Sequence, residues 1–221
     1  MTETPAKTLK ILALLLAYPT RELQQAAGDF MTVLEDEGLL NARRRRELAL
    51  LADALATGDL YELQARYVDL FDRTRALSLH LFEHIHGESR DRGQAMVDLG
   101  ALYARHGFET AGNELPDYLP LFLEFLAHLP LPEARELLAQ PAHIVAALKD
   151  RHETRNSPYA PVFAAIEALG EWQPAQADID EVLAVPEDDP DDLAALDAVW
   201  EEEAVTFGPG TGCVQSKGAR P

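Results

Sequence analysis

A single cysteine, Cys213, in 221 residues excludes an intrachain disulfide and any zinc site built on several thiolates. Aromatic residues make up only 7%, and Val, Ile and Thr are too few to build a large sheet. No apolar run approaches the roughly 20 residues of a membrane span: the stretch Ile11 to Ala17 is far shorter, and no secretory leader pattern is visible. GxSxG, GxxxxGK and HExxH are all missing, which removes the commonest signatures of a serine hydrolase, a phosphate loop and a zinc protease. These absences point to a soluble, cytoplasmic chain with little support for nucleophilic catalysis.

What is present is helix-forming. The hydrophobic fraction is 47% and is carried mostly by Leu and Ala, which favour helices. Acids outnumber bases by 38 to 19, and the imbalance is uneven. Residues 1–170 hold 25 acids against 17 bases, whereas 171–221 hold 13 against 2. A chain of net charge −19 repels phosphate backbones and anionic lipid, which argues against nucleic acid and membrane insertion and favours a basic protein segment as partner. The length suits one buried core. The reading is an all-α single helical-bundle domain over 1–170, followed by a mobile acidic tail over 171–221, because 174–192 is too polar to offset the entropy of ordering. Leu193, Leu196, Val199 and Trp200 restore some helical pattern beyond it.

Helices are expected over 6–18, ending before Pro19; over 20–37, capped by Thr20 and stopped by Gly38; and from Asn41 to Gly58. Asp59 caps a fourth, in which Leu60, Leu63, Tyr67, Leu70 and Phe71 share one face. A short helical piece over 77–85 precedes a long helix from Ser89 to His106. After a loop at 107–116, Tyr118, Phe122, Phe125, Leu126 and Leu129 fall on one helical face, with Pro120 in the first turn. Further helices fit 132–155, broken near Pro141, and 159–169.

Several clusters have two readings. His80, His84 and His86 stand close enough to suggest metal ligands, yet no second ligand pair accompanies them, and hydrogen-bonded imidazoles ordering a polar turn are the favoured reading. Glu88, Arg90, Asp91 and Arg92 read as capping and ion pairing at a helix start, or as the rim of a partner surface. Arg43 to Arg46 lies at a helix start against the dipole; it is a solvated face or a receptor for the acidic tail. The aromatic face of Tyr118, Phe122 and Phe125, with Tyr67 and Phe71, is core by periodicity alone. Glu114 and Asp117 beside it raise the alternative of an apolar groove for a basic-apolar peptide.

The segments YVDLFDRT, SLHLFEHIHGESRDRGQAMVDL, ELPDYLPLFLEFL and LDAVWEEEAVTFG, with the LALLLAYP opening, make the chain resemble the delta-subunit assembly chaperones of respiratory nitrate reductases, within the wider family of molybdoenzyme maturation chaperones. The resemblance implies a non-enzymatic, all-helical protein without a cofactor of its own. It would bind the N-terminal segment of the apo catalytic (alpha) subunit in the cytoplasm and assist molybdenum cofactor insertion before membrane attachment, with cofactor-delivery proteins as further partners. The family's YxxLF element is matched by Tyr67, Leu70 and Phe71, and its ExPDH element by Glu114, Pro116 and Asp117. Tyr118 replaces the expected histidine. These residues, with His84 and Phe122, form the expected peptide site. The competing readings are a metal-dependent hydrolase using His80, His84 and His86, and a generic helical adaptor.

Overall fold

The computed structural model describes residues 6–86, 90–109 and 114–184, and among them every regular element is helical. The first helix, α1 (Lys7–Leu15), buries Leu9, Leu12 and Leu15 and lies at the centre of the core. The residue before it, Ala6, has no capping side chain. Glu37 supplies the cap from a distance, its two carboxylate oxygens accepting from Lys7 N at 2.8 Å and Thr8 N at 2.6 Å. A negative group at these free amides also complements the helix dipole.

The single helix expected over 20–37 is two, α2 (Arg21–Ala27) and α3 (Phe30–Glu37). The break falls at Gly28 and Asp29, where glycine's cost in a helix interior outweighs continued apolar periodicity. Thr20 caps α2 as expected, and Gly38 ends α3 at φ 69°, a left-handed conformation that suits a residue without Cβ. α4 (Ala42–Thr57) follows the Asn41 cap. On it Arg43 and Arg44 both pair with Glu47 at 2.8 Å, in keeping with a solvated face. α5 (Leu60–Phe71) starts where Asp59 accepts from Tyr61 N and Glu62 N.

The helical piece expected over 77–85 is corrected. A 3-10 turn at Arg75–Leu77 leads into an extended segment, and only α6 (Glu83–His86) is helical. Backbone pairing with the chain near Asp117 competes successfully for these amides. α7 (Arg90–Arg105) and α8 (Leu119–Ala127) follow. Then come α9 (Leu131–Leu138) and α10 (Ala142–Thr154), interrupted at Pro141, and α11 (Ala160–Gly170).

The folded body does not end at Gly170. α12 (Gln176–Leu183) buries Ile179 and Val182 and packs on α10. Arg151, 5% exposed, donates to Val182 O at 2.9 Å and to Ala76 O at 2.7 Å. Two apolar side chains and one buried guanidinium therefore hold a segment whose composition suggested an unstructured arm. The acidic stretch beyond Ala184, including Leu193 to Trp200 and Cys213, lies outside the described residues, as do Gly87, Glu88 and Ser89.

α1 packs against α3, α8 and α11, while α4 closes over α2, α3 and α11, and α10 pairs with α11. This arrangement leaves the α5 terminus, the extended segment after it and the start of α8 converging on one side of α1.

Candidate partner-binding site

The convergence begins at Tyr67. Its ring is 3% exposed, packed edge-on against Tyr18 at 5.4 Å and tilted on Phe71 at 4.8 Å. Phe71 in turn meets Tyr159 at 4.9 Å. The Tyr67 hydroxyl donates to Leu16 O at 3.0 Å and lies 2.8 Å from the Tyr118 hydroxyl. With the Tyr67 proton committed to a carbonyl, Tyr118 is the donor between the two. Burial pushes the Tyr67 phenol well above its ordinary range and Tyr118 up to about 12, so both stay protonated and act as hydrogen-bonding groups only.

Tyr118 is not inside a helix. It precedes α8 in extended conformation because the chain there pairs with the segment after α5: Leu81 N donates to Asp117 O at 3.0 Å and Leu119 N to Leu79 O at 2.8 Å, an antiparallel bridge between His80 and Tyr118. The alternation of an extended pair turns Asp117 inward. Asp117 is fully buried; one carboxylate oxygen accepts from Phe82 N at 3.0 Å and the other faces His80 Nδ1 at 3.3 Å. The hydrogen bond to Asp117 raises the His80 pKa. Tyr103 donates to Pro116 O at 2.6 Å and ties the same loop to α7.

His84 serves a different purpose from His80. Its Nε2 donates to Ser78 O at 2.8 Å, and burial lowers its pKa, so it is a neutral imidazole that orders the turn. The two histidines do not converge, and among the described residues no group of three His, Cys, Asp or Glu side chains is placed to hold a metal. The side chain of His86 lies outside the described residues. Of the charged set expected at the α7 start, Arg92 pairs with Glu83 at 3.0 Å, while Glu88, the Ser89 cap and the Arg90 side chain lie outside the described residues. No helix among the described residues is long and apolar enough to cross a membrane.

The residues expected to hold a peptide thus separate. Tyr67, Phe71, His84, Asp117 and Phe122 are buried in the body; Leu70, Pro116 and Tyr118 are half-buried and Glu114 is exposed. Of the aromatic face, Tyr67, Phe71, Phe122 and Phe125 are core, as its period alone suggested, whereas Tyr118 stands at the edge of the outer surface. What faces outward is a groove of about 240 Å³ between α1 and α8, walled by Ala13, Leu14, Ala17, Pro120 and Leu121 and edged by Glu114, Tyr118 and the Lys10–Glu124 ion pair at 2.9 Å. A second hollow of about 290 Å³, containing Phe108, Phe125 and Glu109, shares Leu121 and Glu124 with it.

Sequence reasoning missed Leu14, Ala17 and Leu121. A signal was available: LPLFLEFLA is apolar nearly all round, so one core face leaves other apolar side chains to be covered by something else.

The chain is thus an all-helical protein with an apolar trough, bordered by Glu114 and the Lys10–Glu124 pair, on a framework of hydrogen-bonded buried polar groups. The comparisons with known proteins name its family. The family described as nitrate reductase delta subunit matches residues 37–165. Over 208 residues, 94% of this chain and 88% of the relative, the sequence is 44% identical to the nitrate reductase molybdenum cofactor assembly chaperone NarJ of Escherichia coli K12. It is 41% identical to the probable assembly chaperone NarW of the same strain, covering 90% of this chain and 83% of that one. It is 31% identical to the probable NarJ of Bacillus subtilis 168, covering 74% and 90%. The chain belongs to the nitrate reductase delta subunit family, and these three relatives bear the names of assembly chaperones.

Proposed function

We propose that this protein is the dedicated assembly chaperone of a respiratory nitrate reductase, acting in the cytoplasm on the apo catalytic subunit before membrane attachment and assisting insertion of the molybdenum cofactor. The observation that carries the reading is 44% identity across nearly the whole chain to a chaperone of that name. The site we assign to the catalytic subunit's N-terminal segment is the outer side of the Tyr67, Tyr118 and Asp117 framework: the trough of Leu14, Ala17 and Leu121 with Glu114 and Glu124 at its edge. Tyr118 borders that surface, Tyr67 holds it through the hydroxyl pair, and Asp117 and Phe122 are buried beside it in the chain that carries it; Leu70, Phe71 and Pro116 lie outside the trough lining.

Apolar anchors entering the trough would each contribute about 1.5–3 kcal/mol before ordering costs. Two or three such anchors, oriented by carboxylates acting on Lys or Arg, suit a releasable complex of about micromolar affinity. The test is calorimetric titration of the full chain with a peptide copying the N-terminus of the cognate catalytic subunit, against a scrambled peptide. Charge reversal at exposed Glu114 (Glu114→Lys) and truncation of Leu121 (Leu121→Ala) should weaken binding with the far-UV spectrum preserved. Equal binding of the scrambled peptide would make the protein a generic adaptor. No saturable heat at high micromolar peptide would overturn the assignment of the segment.

A further inference from the structure

The end of α5, the turn between α5 and α6 and the first turns of α7 enclose a cleft of about 360 Å³ lined by Phe71, Asp72, Thr74, Arg75, Ser78, His80, Glu83 and Arg92. The cleft touches the peptide framework only through Phe71, whose ring also lines it, and through the His80–Asp117 contact; none of its polar groups lines the peptide trough. Two polar atoms of its lining are buried with no hydrogen-bond partner among the described residues: Thr74 Oγ1, on a residue only 4% exposed, and Arg92 Nε. Buried polar atoms are normally satisfied, by protein, ordered water or a bound group, and these two belong to residues that line one concavity.

The rest of the lining also offers donors. His80 presents its Nε2 edge, because Nδ1 is turned to Asp117, and the same carboxylate favours the protonated ring. Arg75 uses one nitrogen on Glu83 O and keeps further N–H groups. Ser78 Oγ accepts from His80 N, so its own proton can be donated elsewhere. Of the two acids, Glu83 is neutralised by Arg92 at 3.0 Å, leaving Asp72 as the one acid of the lining without such a partner. Donors outnumber acceptors even though the chain as a whole carries −19.

We infer that this cleft binds a small oxyanion, of the phosphoryl class, through Thr74, Arg92 and His80. A tetrahedral oxyanion presents several acceptors within a few ångströms, so one group can meet both orphan atoms and the imidazole together, while the planar guanidinium suits phosphate oxygens. The chaperone activity neither requires nor excludes this site. The two can fail separately, since the peptide trough shares none of these residues.

The experiment is a titration of the full-length protein with inorganic phosphate, and separately pyrophosphate, at constant ionic strength balanced with chloride. The readouts are the His80 ring and Arg92 Nε–H resonances. Saturable shifts at about millimolar probe are expected. Thr74→Val, which keeps shape and removes the hydroxyl, and Arg92→Lys, which keeps charge and removes the Nε donor, should each weaken binding by about three- to tenfold. Unchanged circular dichroism and peptide binding in both variants would show that the fold is intact. Shifts that do not saturate, that chloride reproduces, or that Thr74→Val leaves unchanged would overturn the site.

Discussion

Replacing Asp117 with alanine should cost about 2–4 kcal/mol of folding stability. The carboxylate is fully buried and has two assigned tasks: accepting from Phe82 N at 3.0 Å and facing His80 Nδ1 at 3.3 Å. A hydrogen bond to an ionised group contributes about 1.5–3 kcal/mol where water is excluded. The His80 side chain is 27% exposed, so its share is screened and amounts to about 1 kcal/mol. Asp117→Asn keeps an acceptor for Phe82 N and removes the charge, so its cost should be near the His80 share alone. That share carries a pH signature. The folded His80 pKa is raised by Asp117, so the pair's contribution is complete below the ordinary histidine value of about 6.5 and disappears as pH rises through the elevated one. Urea unfolding followed by circular dichroism, with equal m-values, measures both variants against wild type near pH 6 and near pH 8. An Asp117→Ala penalty under about 1 kcal/mol, or an Asp117→Asn gap that widens with rising pH, would refute the account of Asp117 as the organising acceptor.

Tyr67→Phe should destabilise by about 1–2 kcal/mol and Tyr118→Phe by less, because the first strips Leu16 O and Tyr118 of a partner whereas the second leaves the Tyr67 bond to Leu16 O in place; chemical denaturation of the two single variants orders them. Arg151→Met removes the donors to Ala76 O and Val182 O, and hydrogen exchange should then rise in residues 176–183 before it rises in α1. His152 is fully buried against Phe163 at 4.8 Å, with burial lowering its pKa to about 3. A depressed histidine must stay neutral to fold, so stability falls as pH drops below about 6.5, by about 1.4 kcal/mol per unit until the folded pKa is reached. His152→Leu should flatten that part of the acid limb, and parallel acid limbs in the two proteins would contradict it.

The helical class, most helix boundaries and the family were present in the sequence, because Leu and Ala at helical spacing, N-caps at Thr20, Asn41 and Asp59, and Pro141 as a break are local effects that act within a few residues. The core character of Tyr67, Phe71, Phe122 and Phe125 also followed from periodicity. Three features did not. Glu37 caps α1 from 29 residues away. The bridge between His80 and Tyr118 overrides a plausible helix by offering its amides partners elsewhere in the chain. α12 is folded by what it meets on α10, in particular Arg151, and not by its own acidic composition.

The candidate site divides in the same way. Sequence motifs marked Tyr67, Asp117 and Tyr118 as special. Whether each is a contact surface or a buried support depends on which face the neighbouring elements cover, and that is a property of the packed molecule. Local propensity and pattern determined the elements and the family of this chain; only the tertiary structure decided which side chains remain at the surface, because burial is set by contacts between segments far apart in sequence.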